Sequence, residues 1–452
     1  MRSCFAHLHL AALAACAVLL APHAATAESL QTIYRFQGDS LGANPVAAIS
    51  NVAGALYGTT TFGGNGAGTV FQLLAPVAPS TEWDASVLHK FANDGTRPYG
   101  DLIAFKTSIV GATFDDTLSG NAGRIYKIKP LIAPKSGWKE VPIHAFGGAG
   151  DGWGPSAGLT KLSPSFYGTT VAGGIAGCKG YLAGADGCGT VVKLTPPATD
   201  GGVWAEEVLY RFNGGADGAV VSSGLLKWNN VFYGVTVFGG TGTCNVPGTS
   251  GGCGTVFAIT PDGVKTTLYS FTGGTGGAMP LGKLIAVGGA LYGTTTAGGG
   301  TGCGGTGCGT VFRLKKPTAP GLPWKMKILH AFGVNSPLGA GPTAGLVHVP
   351  KQLPGGVPAN AIYGTTVLGG SGSCGEGCGT VFKIPLTGPQ TGILSTIHLF
   401  DGGAGGAHPT AGLINSDGKL IGTTEFGGTA SCPSGKVVAG YQGCGTVFQI
   451  TQ

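Results

Sequence analysis

Three acids break an otherwise regular pattern in this 452-residue chain. Asp115 and Asp116 are adjacent, and Glu425 stands where sister segments carry Thr61, Phe114, Val171, Val237, Thr296 and Val367. Paired carboxylates can act as acid and base on a glycosidic bond, or hold Ca²⁺. Asp94, Asp151 and Asp217 lie in loops expected on the same face. Solvated loop charge is the plainer reading for all of them. No catalytic residue is therefore assigned, and Asp115, Asp116 and Glu425 are the weak candidates to follow.

The histidines read as structural. His89, His144, His330 and His398 each stand two residues before a phenylalanine, and Tyr34, Tyr210 and Tyr269 fill the same slot in the other copies. A slot that takes either His or Tyr is a packing position rather than a general base. His348 and His408 look isolated, with no Ser/His/Asp pattern around them. No glycine-rich segment carries the Lys of a phosphate loop or the Asp of a calcium repeat.

Ten cysteines follow residue 27 and fall into five local pairs: Cys178 with Cys188, Cys244 with Cys253, Cys303 with Cys308, Cys374 with Cys378, and Cys432 with Cys444. The second member always precedes Gly-Thr. Even count, repeated placement and an N-terminal export signal point to disulfides. A metal alternative would need further ligands, and these loops carry no histidine. Neither metal nor cofactor is expected.

These residues sit on a repeat. An aromatic-Gly-Thr-Thr run followed by Gly-Thr-Val-Phe recurs seven times, with key glycines at 58, 111, 168, 234, 293, 364 and 422. The second copy is worn, reading Val110-Gly111-Ala112-Thr113 and Gly123-Arg124-Ile125-Tyr126. Spacings of 53 to 71 residues mark a supersecondary unit rather than a domain. Each unit holds four strand-like runs, here lettered a to d, so the expected fold is all-β: a seven-bladed β-propeller of four-stranded blades. A linear β-solenoid is the alternative. The chain after the leader starts with a d strand, 32–36, and ends with a c strand, 445–450. The N-terminal strand should therefore join the last blade and close the ring, removing an exposed edge.

In such a ring the b–c and d–a connections share one face. That face would carry the cystine loops, and the Pro-rich c–d connections would lie opposite. The repeated aromatics, including Phe71, Phe257, Phe312, Phe382 and Phe448, read as core. The repeated glycine reads as room for the next blade to approach.

The pattern F-x5-G-x-x-P, A-G-L, G-T-T, G-G and G-T-V-F resembles the GloVer-type (choice-of-anchor) tandem repeat of exported bacterial proteins. Phe400, Gly406, Pro409, 411–413, 422–424, 427–428 and 445–448 carry it in the last copy. The resemblance covers nearly all of the chain after the leader. It implies export and a propeller-like β fold, and supplies no activity or catalytic residues.

Arg2, the apolar run 10–21 and Ala25-Thr26-Ala27 read as a signal peptide over residues 1–27, leaving 28–452 as one domain of seven repeats. A lipobox ending at Cys16 is the competing reading. Export to the periplasm or extracellular space follows, with no later membrane span expected. Glycine is abundant (88 residues) without a collagen period, and the net charge of +6 is scattered, which disfavours nucleic-acid binding. The function expected is a secreted, non-catalytic, monomeric repeat protein whose disulfide-stiffened loop face binds a glycan or surface protein. The b–c loops 425–444 and 171–188 should contribute most. The alternative is an extracellular polysaccharide hydrolase or lyase.

Overall fold

The computed structural model describes residues 29–451 except 93–95, 115–121, 132–134, 148–149, 179–185, 200, 245–250, 320, 335, 351–359, 371, 429–430 and 434–441. Residues 1–27 with Cys16, the acids Asp94, Asp115 and Asp116, and the middles of both favoured loops lie outside the described residues.

Seven four-stranded antiparallel sheets follow one another along the chain. In the fifth blade the order is Ile285–Val287, Ala290–Thr295, Thr310–Lys315 and Lys325–Ala331, from axis to rim. The three-residue inner strand starts just after the Leu of the Ala-Gly-Leu segment, so that segment itself is irregular and lines the axis. The seventh blade takes three strands from the C-terminal end and its fourth, Ser29–Arg35, from the N-terminal end. Leu30 lies opposite Ile450, and Thr32 opposite Phe448. This closes the ring as the sequence predicts.

The recurring threonines have two separate jobs. The second Thr of each Thr-Thr pair bonds the Thr of Gly-Thr-Val within its own blade, as in Thr60–Thr69, Thr295–Thr310 and Thr424–Thr446 at 2.8–2.9 Å. The first Thr donates to a carbonyl of the next blade: Thr59 to Pro98, Thr169 to Ser223 and Thr294 to Ala344, each at 2.9 Å. Across the closing seam Thr423 reaches Ala47 at 3.4 Å. In the worn second copy Arg124 replaces the partner, and the buried Thr113 hydroxyl has none among the described residues.

Aromatic edges bind blade to blade. The strand-d Phe of one blade meets the strand-c ring of the next: Phe36–Phe71, Phe91–Tyr126, Phe212–Phe257, Phe271–Phe312, Phe332–Phe382 and Phe400–Phe448, with centroids 5.0–5.6 Å apart. Such pairs add about 0.5–1.5 kcal/mol beyond area burial. The seam between blades two and three lacks this pair, because Val192 replaces the ring.

The repeated glycine has a different cause from the expected one. A Cβ on Gly58 would lie 2.5 Å from Phe71 Cζ and 2.9 Å from Ile49 Cδ1. Phe71 is its cross-strand partner in the same blade. The glycine makes room for that ring, not for the next blade.

All five disulfides form as paired from the sequence, closing short loops on the face where b–c and d–a connections meet. In six blades a bridge joins the two connections, as in Ala43–Phe62 and Ala407–Phe426. An oxidising compartment fits these bonds. No described helix is long and apolar enough to cross a membrane.

Candidate functional site

Each d–a loop ends on one residue in the left-handed region: Asn44, Arg97, Gly154, Val220, Met279, Gly341 and His408, with φ between 51° and 66°. Its carbonyl accepts the N–H of the residue after the Thr-Thr pair of its own blade, as His408 does from Glu425 at 3.1 Å. Its N–H reaches back to the b–c loop of the preceding blade, as from Asn44 to Cys444 and from His408 to Cys378, both 2.8 Å. Side chains adopt this backbone at a cost of about 1–2 kcal/mol. Five of the seven positions nonetheless keep one.

The result is a ring of seven paired positions around the mouth of the axial channel, and the ring is not uniform. Blades seven, one and two present His408 with Glu425, Asn44 with Thr61, and Arg97 with Phe114. Blades three to six present Gly154 with Val171, Val220 with Val237, Met279 with Thr296, and Gly341 with Val367. The first sector is mostly polar or charged, with Phe114 the exception, and the second is apolar apart from Thr296. A cavity of about 560 Å³ lies against the polar sector, and its lining includes Thr61, Arg97, Tyr99, Leu281 and Glu425.

Glu425 is 6% exposed. Its Oε2 lies 3.1 Å from His408 Nδ1, and the Asn44 amide donates to its carbonyl at 2.9 Å. Tyr99 meets Phe114 edge-on at 5.6 Å, and the Arg97 guanidinium lies 5.9 Å from the same ring. Burial pushes the Tyr99 hydroxyl above its ordinary value; Glu425 adds to this, and Arg97 opposes it.

Deeper in the channel the walls come from the Pro-x-Ala-Gly segments. Five of the seven copies there carry Ala48, Gly158, Gly224, Gly345 or Gly412, and the other two carry Asp101 and Lys283. Asp101 Oδ1 accepts the Ala48 N–H at 3.0 Å. Burial raises the Asp101 carboxyl above its usual range, against the opposing pull of Lys283 and that N–H. Ser222 Oγ and Thr410 Oγ1 on the same walls are buried with no hydrogen-bond partner among the described residues. They are available to a bound polar molecule.

A family model described as the Gloeobacter/Verrucomicrobia repeat matches residues 22–182 and again 180–353. The chain belongs to this repeat family. A search of curated protein sequences finds no match. Among solved structures, one titled as a luciferin-regenerating enzyme covers 76% of this chain and 88% of its own, at TM-score 0.41 and 10% identity.

Of the acids followed from the sequence, Glu425 stands at the mouth of this repeat protein, and Asp115 and Asp116 lie outside the described residues. Asp151 and Asp217 sit farther out, against strand-d side chains. The His/Tyr slot packs as expected: all seven rings stand edge-on to their Phe, at 4.7–5.2 Å. His408 is not isolated, since its ring reaches Glu425. Asn44, Arg97, Tyr99, Asp101 and Lys283 escape sequence reasoning. Their signal lies in the column of residues flanking the d–a proline, where six copies read x-Pro and the preceding residue varies from Gly to Arg.

Proposed function

We propose that this chain is an exported, non-catalytic binding protein whose channel mouth, on the cystine-loop face, takes a polyhydroxylated ligand such as a unit of an extracellular glycan. The observation that carries the reading is the break in seven-fold symmetry. Arg97, Thr61 and Glu425 supply donors and acceptors in the cavity lining, Tyr99 supplies an aromatic ring, and Val46, Phe62 and Leu281 supply apolar surface. A concave, mostly apolar pocket with a few convergent polar groups is the usual form of a small-molecule site. The disulfide-held loops around it lose little entropy on binding. The five disulfides fit an exported protein, and residues 1–27 supply the export signal in this reading.

A second reading has one specific observation behind it. Asp101 carries a raised carboxyl on the channel wall, and a carboxyl kept protonated can serve as the general acid on a glycosidic bond. Calorimetric titration with a panel of polysaccharide fragments, alongside reducing-end release, separates the two. Arg97→Ala and Tyr99→Ala should each weaken binding roughly tenfold or more, a loss typical of anchor residues. Val203→Ser, at a 92% exposed c–d position, should not. Binding untouched by the mouth variants places the site elsewhere, and reducing-end release that Asp101→Asn abolishes replaces the binder with a hydrolase.

A further inference from the structure

Away from the mouth, at the seam between blades two and three, His144, Asp151 and Glu206 offer one ligand atom each, all within 4.8 Å of one another. His144 is on the outer strand Trp138–Ala145, Asp151 in the following d–a loop, and Glu206 on Ala205–Arg211, the outer strand of the next blade. His144 Nε2 lies 3.3 Å from both oxygens of Asp151. Zinc bonds of 2.0–2.1 Å in a tetrahedron place ligand atoms about 3.3 Å apart. The edge-on contact with Phe146 at 4.8 Å fixes the imidazole ring.

The next seam shows what normally occupies this place. Asp217 stands five residues after its strand-d Phe, as Asp151 does, and each accepts the N–H of the residue directly after that Phe: Asn213 at 2.9 Å and Gly147 at 2.8 Å. Tyr210 fills the His144 slot and donates to Asp217 at 2.7 Å. Lys265, six residues before Phe271 as Glu206 is before Phe212, puts its ammonium 2.6 Å from Asp217. A built-in cation thus neutralises the acid between blades three and four. Between blades two and three, the phenol donor has become an imidazole and the ammonium a carboxylate. Both changes turn a donor into a metal ligand.

Glu206 Oε1 is buried with no hydrogen-bond donor among the described residues. Burial first, then the charge of Asp151, raises its carboxyl, while His144 and Arg211 act the other way. Arg211 commits its Nε to the Gly150 carbonyl at 2.9 Å, and neighbouring Glu207 pairs with Lys193 at 2.9 Å. This is also the seam where Val192 replaces the aromatic ring.

We propose that His144, Asp151 and Glu206 bind a divalent transition-metal cation of the zinc type, which takes the place of the Lys265 ammonium and ties blade two to blade three. The imidazole and two carboxylates favour such an ion over Ca²⁺ or Mg²⁺, which prefer all-oxygen sets. Three protein ligands leave a fourth position for water. The sequence alone gives no expectation of a metal, because the ligands come from two different repeats.

The test is zinc titration, by calorimetry and by metal content after dialysis, on the tag-free chain with its cystines oxidised. One zinc per chain is expected, with a rise in melting temperature that a chelator reverses. His144→Ala and Asp151→Asn should weaken binding about tenfold or more. Glu206→Lys, alone or with His144→Tyr, copies the arrangement of the next seam and should abolish zinc binding while the metal-free melting temperature holds or rises. No zinc bound by the parent chain, full stoichiometry in Glu206→Lys, or a preference for Ca²⁺ would each overturn the proposal.

Discussion

Two neighbouring seams of one ring, two–three and three–four, descend from the same repeat and hold their acids by different means. At three–four, Phe212 meets Phe257, and Lys265 and Tyr210 both serve Asp217. At two–three Val192 stands in place of the facing ring, and His144 and Glu206 stand around Asp151. The shared parts, the Thr staples and the edge-on rings, build the ring. The parts that differ collect ionisable groups. The mouth follows the same rule, with its charged sector confined to blades seven, one and two.

The largest effect should come from removing the frame on which both seams depend. Deleting residues 29–36 strips the fourth strand from blade seven and bares the edge of Thr446–Thr451. Loss of the cooperative melt, with aggregation seen by light scattering, is the expected outcome. A truncated chain that melts like the parent would mean that the seams do not need a closed ring.

Next comes the three–four seam itself. Lys265→Met leaves Asp217 facing no cation in a pocket where the two side chains are 4% and 18% exposed. Removing one partner of a buried pair costs about 3 kcal/mol, readable by urea denaturation. Asp217 is held below the ordinary carboxylate range: burial works against this, and Lys265, the Asn213 N–H and Tyr210 outweigh it. A depressed acid contributes stability above its unfolded pKa and loses it as pH falls through the folded one. The parent should therefore lose stability below about pH 4, and Lys265→Met should lose less over the same interval.

The smallest effect separates His slots from Tyr slots. Burial lowers the pKa of His330 and His398. The folded state then favours the neutral ring, so this stability is full above about pH 6.5 and declines as pH falls through the lowered values. Replacing both by tyrosine, the residue at 34, 210 and 269, should flatten that decline in melts between about pH 7 and 5.

The blades were legible because each is written locally. Thr60 and Thr69 mark paired strands and every cysteine pair lies within one loop, whereas Gly58 was legible as a repeated position but not in its cause, the ring of Phe71. Closure was legible because the ends carry complementary strands. What periodicity does not encode is contact between repeats. Glu206 reaches Asp151 from 55 positions away and from another blade, and in isolation His144 reads as one more member of a packing slot. The mouth was half legible: Glu425 broke its column visibly, whereas Arg97, Tyr99 and His408 sat beside a proline column that reads as turn chemistry. Their convergence depends on a left-handed residue in each loop, which non-glycine sequence does not announce.

The comparison between seams can be tested by rebuilding one as the other. In Tyr210→His with Lys265→Glu, Asp217 gains the same two partners that Asp151 has, on the same backbone frame. Metal content per oxidised chain, measured after zinc loading and dialysis, is the direct readout. Zinc content should rise from one per chain in the parent to two in the double variant. A second seam that stays empty while the variant keeps the parent's fold would contradict it.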